Sequence, residues 1–158
     1  MLQYTRLANT WPWQKEWISF SFWVPGLTSL LLIYFLKDAI GNLYALILRG
    51  DHELNEVKAC KIKPIIAPIT FATDADIKQH FKASPGSLGP INCPIPIIVD
   101  HTAAALSDFC AGANQNNVHY TGINWDRDVS EYTVADIRNV IAGDPSPDSL
   151  GSLKLTQG

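Results

Sequence analysis

"NVHYTGINWDRD", residues 117–128, gathers a histidine, two aromatic residues, an arginine and two aspartates into one short run. His119 has the chemistry to orient a substrate or to move a proton near neutral pH. Asp126 and Asp128 form a DxD pair able to hold a divalent ion, although Arg127 between them is placed to pair with either carboxylate. Upstream, Asp100 closes the apolar run "IPIIVD", and Gly86, Ser87, Leu88, Gly89 and Pro90 make a rigid loop whose backbone amides and carbonyls are open to a ligand. Polar groups at strand ends and in tight loops are how a pocket is built on a sheet. Plainer roles compete. A lone histidine such as His119 is more often structural than catalytic, and Asp100 is equally suited to capping a helix that starts near Thr102. From these residues alone the chain reads as a pocket-bearing domain, with hydrolysis among the activities open to it.

Other chemistries find little support. There is no GxxxxGK[ST] and no GxGxxG between a strand and a helix, so a phosphate-cradling loop is not expected. His52, His80, His101 and His119 are scattered, with no second histidine or cysteine at i+3 or i+4, which argues against zinc. Ser87 and Ser107 lack the GxSxG context of an activated nucleophile. Cys60, Cys93 and Cys110 form no CxxC, and three cannot all pair internally; they read as reduced, buried thiols of a cytosolic protein. No metal or cofactor is expected. A net charge of -3 does not suit a chain that coats nucleic acid through its overall field. Lys58, Lys61 and Lys63 offer a short basic run that a solvated helix face explains as well.

The elements that must position these residues are well punctuated after residue 26. At 158 residues, 47% hydrophobic and 17% charged, the chain suits one globular domain. "LLLIYFL" and "LYALILR" are apolar, β-rich runs around "KDAIGN", which predicts a hairpin with buried strands. Asp51 is placed to cap a helix in "HELNEVKACK", with Leu54 and Val57 at helical spacing. Between prolines, "PIIAPIT" reads as extended. Thr73 caps "DADIKQHFKA", where Ile77 and Phe81 share one face. "IPIIVD" is a strand buried on both sides, Thr102 opens the small-residue run "AAALSDFCAGA", and "VHYTGI" alternates as a strand. "TVADIRNVI" fits helix or strand, and "SLKL" is a last strand after a loop. Strands interspersed with short helices indicate an α/β (mixed α+β) domain around one mixed sheet.

Residues 1–26 stand apart as an atypical N-terminal segment carrying Trp11, Trp13, Trp17 and Trp23, without periodicity or helix caps. Residues 17 to 36 carry no charge over a length that could span a bilayer. Pro25 and Gly26 interrupt that run, and Lys15 and Glu16 give its flank no positive excess. No small-x-small cleavage site marks a signal peptide. A cytoplasmic protein without stable membrane association is expected, with a membrane-tethered chain as the alternative.

"LRGDHELNEVK", "PGSLGP", "ALSDFCAGAN", "HYTGINWDRD" and "ADIRNVIAGDPSPD" occur in that order. Together they resemble the editing (insertion) domain of bacterial-type prolyl-tRNA synthetase, within the wider YbaK-like aminoacyl-tRNA deacylase family. The match covers roughly residues 27 to 155 of a domain assigned to 27–158. The resemblance implies a mixed α/β fold with a central barrel-like sheet, and hydrolysis of alanine wrongly esterified to proline tRNA. It implies that the GxxxP loop, Gly86–Pro90, walls the site for the terminal adenosine and ester, that His119 and Asp100 shape the alanine pocket, and that Asp51 and His52 belong to a family motif. The partners implied are the alanine-bearing acceptor end of tRNA(Pro) and prolyl-tRNA synthetase, to which this chain would be a free-standing editor or a fragment. The chain carries none of the synthetase motifs that activate proline, so aminoacylation by this chain alone is not expected. One departure is chemical: the family has a lysine in its first strand where this chain has Thr28, in "LTSLLL". A missing cation beside a phosphate or a reacting ester weakens binding and catalysis. The alternative is therefore a catalytically impaired remnant that binds tRNA or a synthetase.

Overall fold

The computed structural model describes residues 2–5, 30–63, 65, 67–154 and 156, the first of these segments by its backbone alone. Thr28, the four early tryptophans and residues 17–29 of the uncharged run lie outside the described residues. Among the described residues, no helix is long and apolar enough to cross a membrane.

The expected hairpin forms from β2 (Leu31–Lys37) and β3 (Leu43–Arg49), paired antiparallel. Its turn is held by Asp38, whose carboxylate accepts from the Ile40 and Asn42 amides at 3.0 and 2.8 Å, while Gly41 supplies φ +93°. Parallel to β3 lies β5 (Ile97–Asp100), and parallel to β5 lies β8 (Thr133–Ala135); β4 (Thr70–Phe71) closes the other side. The order is β4-β2-β3-β5-β8. Strand alternation splits the sheet's side chains between two cores. Leu43, Ala45, Ile47, Ile97 and Val99 join the larger one. Leu46, Leu48 and Ile98 join Leu36, Ala59, Ile65 and Ile137 on the opposite side. Leu46, Ile47 and Leu48 are fully buried, each contributing roughly 1.5–3 kcal/mol of apolar burial.

A second, antiparallel sheet has the order β1-β7-β6, made of β1 (Leu2–Thr5), β6 (Phe109–Gly112) and β7 (Val118–Ile123). Phe109, Ala111, Tyr120 and Ile123 carry it onto the larger core, and an isolated parallel bridge between Leu30 and Cys110 ties the two sheets together. The expected barrel does not form, because the larger sheet remains open. Its outer strands β4 and β8 are two and three residues long and pair with one neighbour each, too short to meet and close.

The helices are shorter than the sequence pattern suggests. In α2 (Asp74–His80) the cap is as expected, with Thr73 and Asp76 forming a capping box. For α1 (Glu56–Ala59) the cap is Asn55 rather than Asp51, whose carboxylate is taken by Arg49 at 2.5 and 2.7 Å. Leu54 sits in a bridge to Arg138 instead of on a helix, and Val57 is 70% exposed. For α3 (His101–Ala104) the cap is Asp100, the capping role the sequence left open for it, and Thr102 lies inside the helix. The small-residue run then leaves helix through Asp108 at φ 51° and continues as β6. "TVADIRNVI" resolves as β8 followed by extended chain. Among the described residues of "SLKL", Ser152 forms an isolated bridge with Pro145 while Leu153 exchanges backbone hydrogen bonds with Gly143 and Asp144.

Candidate functional site

The loop at Gly86–Pro90 is built by backbone proximity. Pro85–Ser87 form one 3₁₀ turn, and the chain then crosses β6 so closely that neither partner tolerates a side chain. A Cβ on Gly89 would lie 1.9 Å from the Gly112 carbonyl oxygen, and one on Gly112 would lie 2.2 Å from the Ser87 carbonyl carbon. Glycine at both places is a packing requirement. Asn114 fastens the crossing. Its Oδ1 accepts from the Gly89 amide at 2.9 Å, its Nδ2 donates to the Gly89 and Ile91 carbonyls at 3.1 and 2.8 Å, and its own amide donates to the Ser87 carbonyl at 2.9 Å. Ser87 is buried, with its Oγ accepting from the Asn117 amide at 3.0 Å. Gly86 is exposed, with open space where a Cβ would stand.

His119 reaches the same place from β7. It pairs with Gly112 across the β6–β7 ladder, next to the Ala111–Tyr120 pair. Residues directly opposite in an antiparallel pair project to the same side, and successive residues alternate. Ala111 and Tyr120 pack against the core, so Gly112 and His119 face away from it, on the side where Ser87 and Leu88 cover Gly112. His119 is half-buried, and its imidazole makes no hydrogen bond among the described residues. Contrary to the expectation of open backbone groups, the Ser87, Leu88 and Gly89 amides donate to Ser84, Pro85 and Asn114, and the Ser87, Gly89 and Pro90 carbonyls accept from Asn114 and Cys93. The exposed Gly86 peptide and the half-exposed imidazole are therefore what this region offers a ligand.

Asp100 lies in a different environment. It is 1% exposed, and both carboxylate oxygens are occupied. Oδ2 accepts from the Thr102 amide at 2.9 Å and hydroxyl at 2.5 Å, and Oδ1 accepts from the Ile137 amide at 3.2 Å. Burial alone would raise its pKa, but those hydrogen bonds and the charge of Arg138, 3.9 Å away, hold it below the ordinary value. None of these bonds reaches His119 or the loop. Because an ionised Asp100 can only accept, the Thr102 hydroxyl donates to it and must accept from His52 Nδ1 at 3.1 Å. His52 Nε2 is then the acceptor for the Arg49 guanidinium at 3.2 Å. Buried at 4% exposure, His52 has its pKa lowered chiefly by desolvation. The structure thus lays the Gly86–Pro90 loop over Gly112, the ladder partner of His119, and separately links Asp100 to His52, Thr102, Arg49 and Arg138.

Of the remaining candidates, Asp128 pairs with Arg127 at 2.6 Å and Asp126 accepts from Tyr132 at 2.9 Å. Lys58 is bound to Asp136 at 2.8 Å. Cys93 is partly buried, its pKa pushed up to about 11 by desolvation, and Cys110 is raised for the same reason. Such thiols are poor nucleophiles at neutral pH. Asn114 and the His52–Thr102 link were not singled out by pattern reasoning. The signal for Asn114 was its type, since Asn is among the few non-glycine residues that accept φ 56° after a run of small residues.

Comparison with known proteins adds two findings. A family model described as the aminoacyl-tRNA editing domain matches residues 28–129, more than half of the chain. The fold resembles solved structures of low identity. A crystal structure of a hypothetical protein has TM-score 0.59 at 17% identity, covering 71% of this chain and 75% of its own. A scaffold used in computational epitope grafting has TM-score 0.60 at 13% identity, covering 73% and 74%. A candidate trans-editing enzyme for prolyl tRNA synthetase has TM-score 0.57 at 17% identity, covering 68% and 69%.

Proposed function

The chain belongs to the aminoacyl-tRNA editing domain family, and from that premise we propose that it is a deacylase that hydrolyses alanine from mischarged tRNA(Pro). The observation that supports the reading is the crossing of the Gly86–Pro90 loop over Gly112, the residue paired with His119 across the β6–β7 ladder. The prolyl assignment is supported by the five ordered motifs and by the name of one structural neighbour. The need for such an enzyme is physical. A synthetase pocket sized for proline gains only about 1–3 kcal/mol against a substrate lacking a methylene, so a second hydrolytic sieve is required.

In the proposed reaction a water oxygen attacks the ester carbonyl carbon, the bond to the ribose oxygen breaks, and that oxygen takes a proton to leave free alanine and an uncharged tRNA end. An aminoacyl ester is already activated, so holding it against the water and stabilising the oxyanion suffices without a covalent nucleophile. The loop holds the ester and terminal adenosine, and His119 orients them. Asp100 serves from a distance, by holding α3 and the chain at Ile137 in place. Purified protein incubated with alanyl-tRNA(Pro) tests this: release of alanine well above spontaneous hydrolysis is expected, and a rate equal to that background overturns the reading.

Thr28 motivates a second reading, an impaired module that binds tRNA without cleaving it. Under it the parent chain retains alanyl-tRNA(Pro) without releasing alanine, and Thr28→Lys gains activity.

A further inference from the structure

We infer that Asn114 is the positioning residue for the substrate wall, acting through the Gly86–Pro90 loop; the inference rests on the deacylase reading of that loop. Ser87 and Leu88 anchor the first half of the loop through their side chains, whereas Gly89 has none, so its course depends on what its backbone is bonded to. Here a single side chain takes both hydrogen-bonding groups of Gly89 and the Ile91 carbonyl, while the same residue's amide takes the Ser87 carbonyl. The identity is demanding. Facing an N–H and two carbonyls at once requires one acceptor and two donors on one short planar group, which is the asparagine amide. The backbone at 114 is in the left-handed region, φ 56°, which Asn tolerates and most residues do not. Gly89 is thereby turned toward Gly112 and Asn114, and Gly86 is left facing open space. Asn114 comes from the chain joining β6 to β7, so the clamp also fixes the loop relative to His119.

Two variants separate the clamp from mere folding. Asn114→Gly keeps the left-handed backbone available and deletes the amide, and Asn114→Asp keeps the acceptor for Gly89 while losing both donors. With alanyl-tRNA(Pro), Asn114→Gly is expected to raise KM by about tenfold, the loss of a few oriented hydrogen bonds, with kcat within about threefold of the parent. Asn114→Asp, which turns a carboxylate oxygen toward the Gly89 and Ile91 carbonyls, raises KM by at least as much. A purely structural role would lower the folded fraction, and so the apparent kcat, without moving KM. An unchanged KM in both variants, beside an active parent, overturns the assignment of Asn114. An inactive parent instead overturns the deacylase reading on which it rests.

Discussion

His119 and Asp100 look alike in the sequence, each a single polar residue at the edge of an apolar strand, and the structure gives them opposite surroundings. His119 is half-buried, its imidazole making no hydrogen bond among the described residues, and its ladder partner Gly112 lies under the 86–90 loop. Asp100 is enclosed, with both oxygens occupied. Substitution should separate them. His119→Ala is expected to lower kcat/KM for alanyl-tRNA(Pro) by roughly tenfold to a hundredfold, as lost orientation does, while the urea midpoint stays near that of the parent. Asp100→Asn keeps the shape but presents an NH₂ to either the Thr102 or the Ile137 donor. It should cost about 1–3 kcal/mol of stability, read from urea denaturation, with kcat/KM per folded molecule little changed. If His119→Ala is as active as the parent, the imidazole is outside the site. If Asp100→Asn abolishes turnover in a fully folded protein, Asp100 touches the substrate after all.

At the scale of elements, the crossing of the 86–90 loop over β6 organises the candidate site. Gly112→Ala places a methyl group 2.2 Å from the Ser87 backbone, where no flexible side chain can give way. A loss of about 1–3 kcal/mol is expected in urea denaturation, together with a raised KM. Gly86→Ala meets nothing within 4 Å and should leave stability within about 0.5 kcal/mol, so any change in its KM reports contact with the substrate. The elements legible in the sequence were those whose determinants are local. The β2–β3 hairpin follows from two apolar runs and an Asp38–Asn42 turn, α2 from its Thr73 cap, and β7 from alternation. The elements misread were settled by distant partners. Arg49 withdrew Asp51 from capping, the bridge of Leu54 to Arg138 shortened α1, and the pairing of Phe109–Gly112 with β7 turned the end of a small-residue helix pattern into a strand. For the same reason the loop and His119 were visible as candidates, whereas the Asn114 clamp was not. Nothing local announces that residue 114 meets residue 89.

The chain from Arg49 through His52, Thr102 and Asp100 to Ile137 and Arg138 links the end of β3, α3, the end of β5 and the segment after β8. Its sense of donation requires a neutral His52, since a protonated imidazole would turn a second N–H toward the Arg49 guanidinium. The charges facing that ring are Arg49, Arg138, Asp51 and Asp100, and desolvation is the largest influence, so its folded pKa lies below the ordinary value. The sign then follows from linkage. In the pH range between the two values the unfolded chain binds a proton at His52 that the folded chain does not, so stability is highest above about pH 6.5 and falls as pH drops through that value toward the folded pKa. Asp100 and Asp144, the latter held at about 2 by its Arg138 pair, are also depressed. Their contribution persists until the pH falls below the unfolded carboxylate value near 3.9. Two acid transitions are therefore expected in thermal melts, the first setting in as the pH falls through about 6.5 and due to His52. His52→Gln, which cannot take up a proton, should flatten that first decline relative to the parent, with each kcal/mol appearing as about 2–4 °C in Tm. The second decline should persist in the variant and be reduced in Asp144→Asn. Equal slopes for parent and His52→Gln as the pH falls below about 6.5 would show that the imidazole is not the group being titrated. Because His119 and the 86–90 loop lie outside this chain of bonds, deacylation per folded molecule should not share the His52 transition.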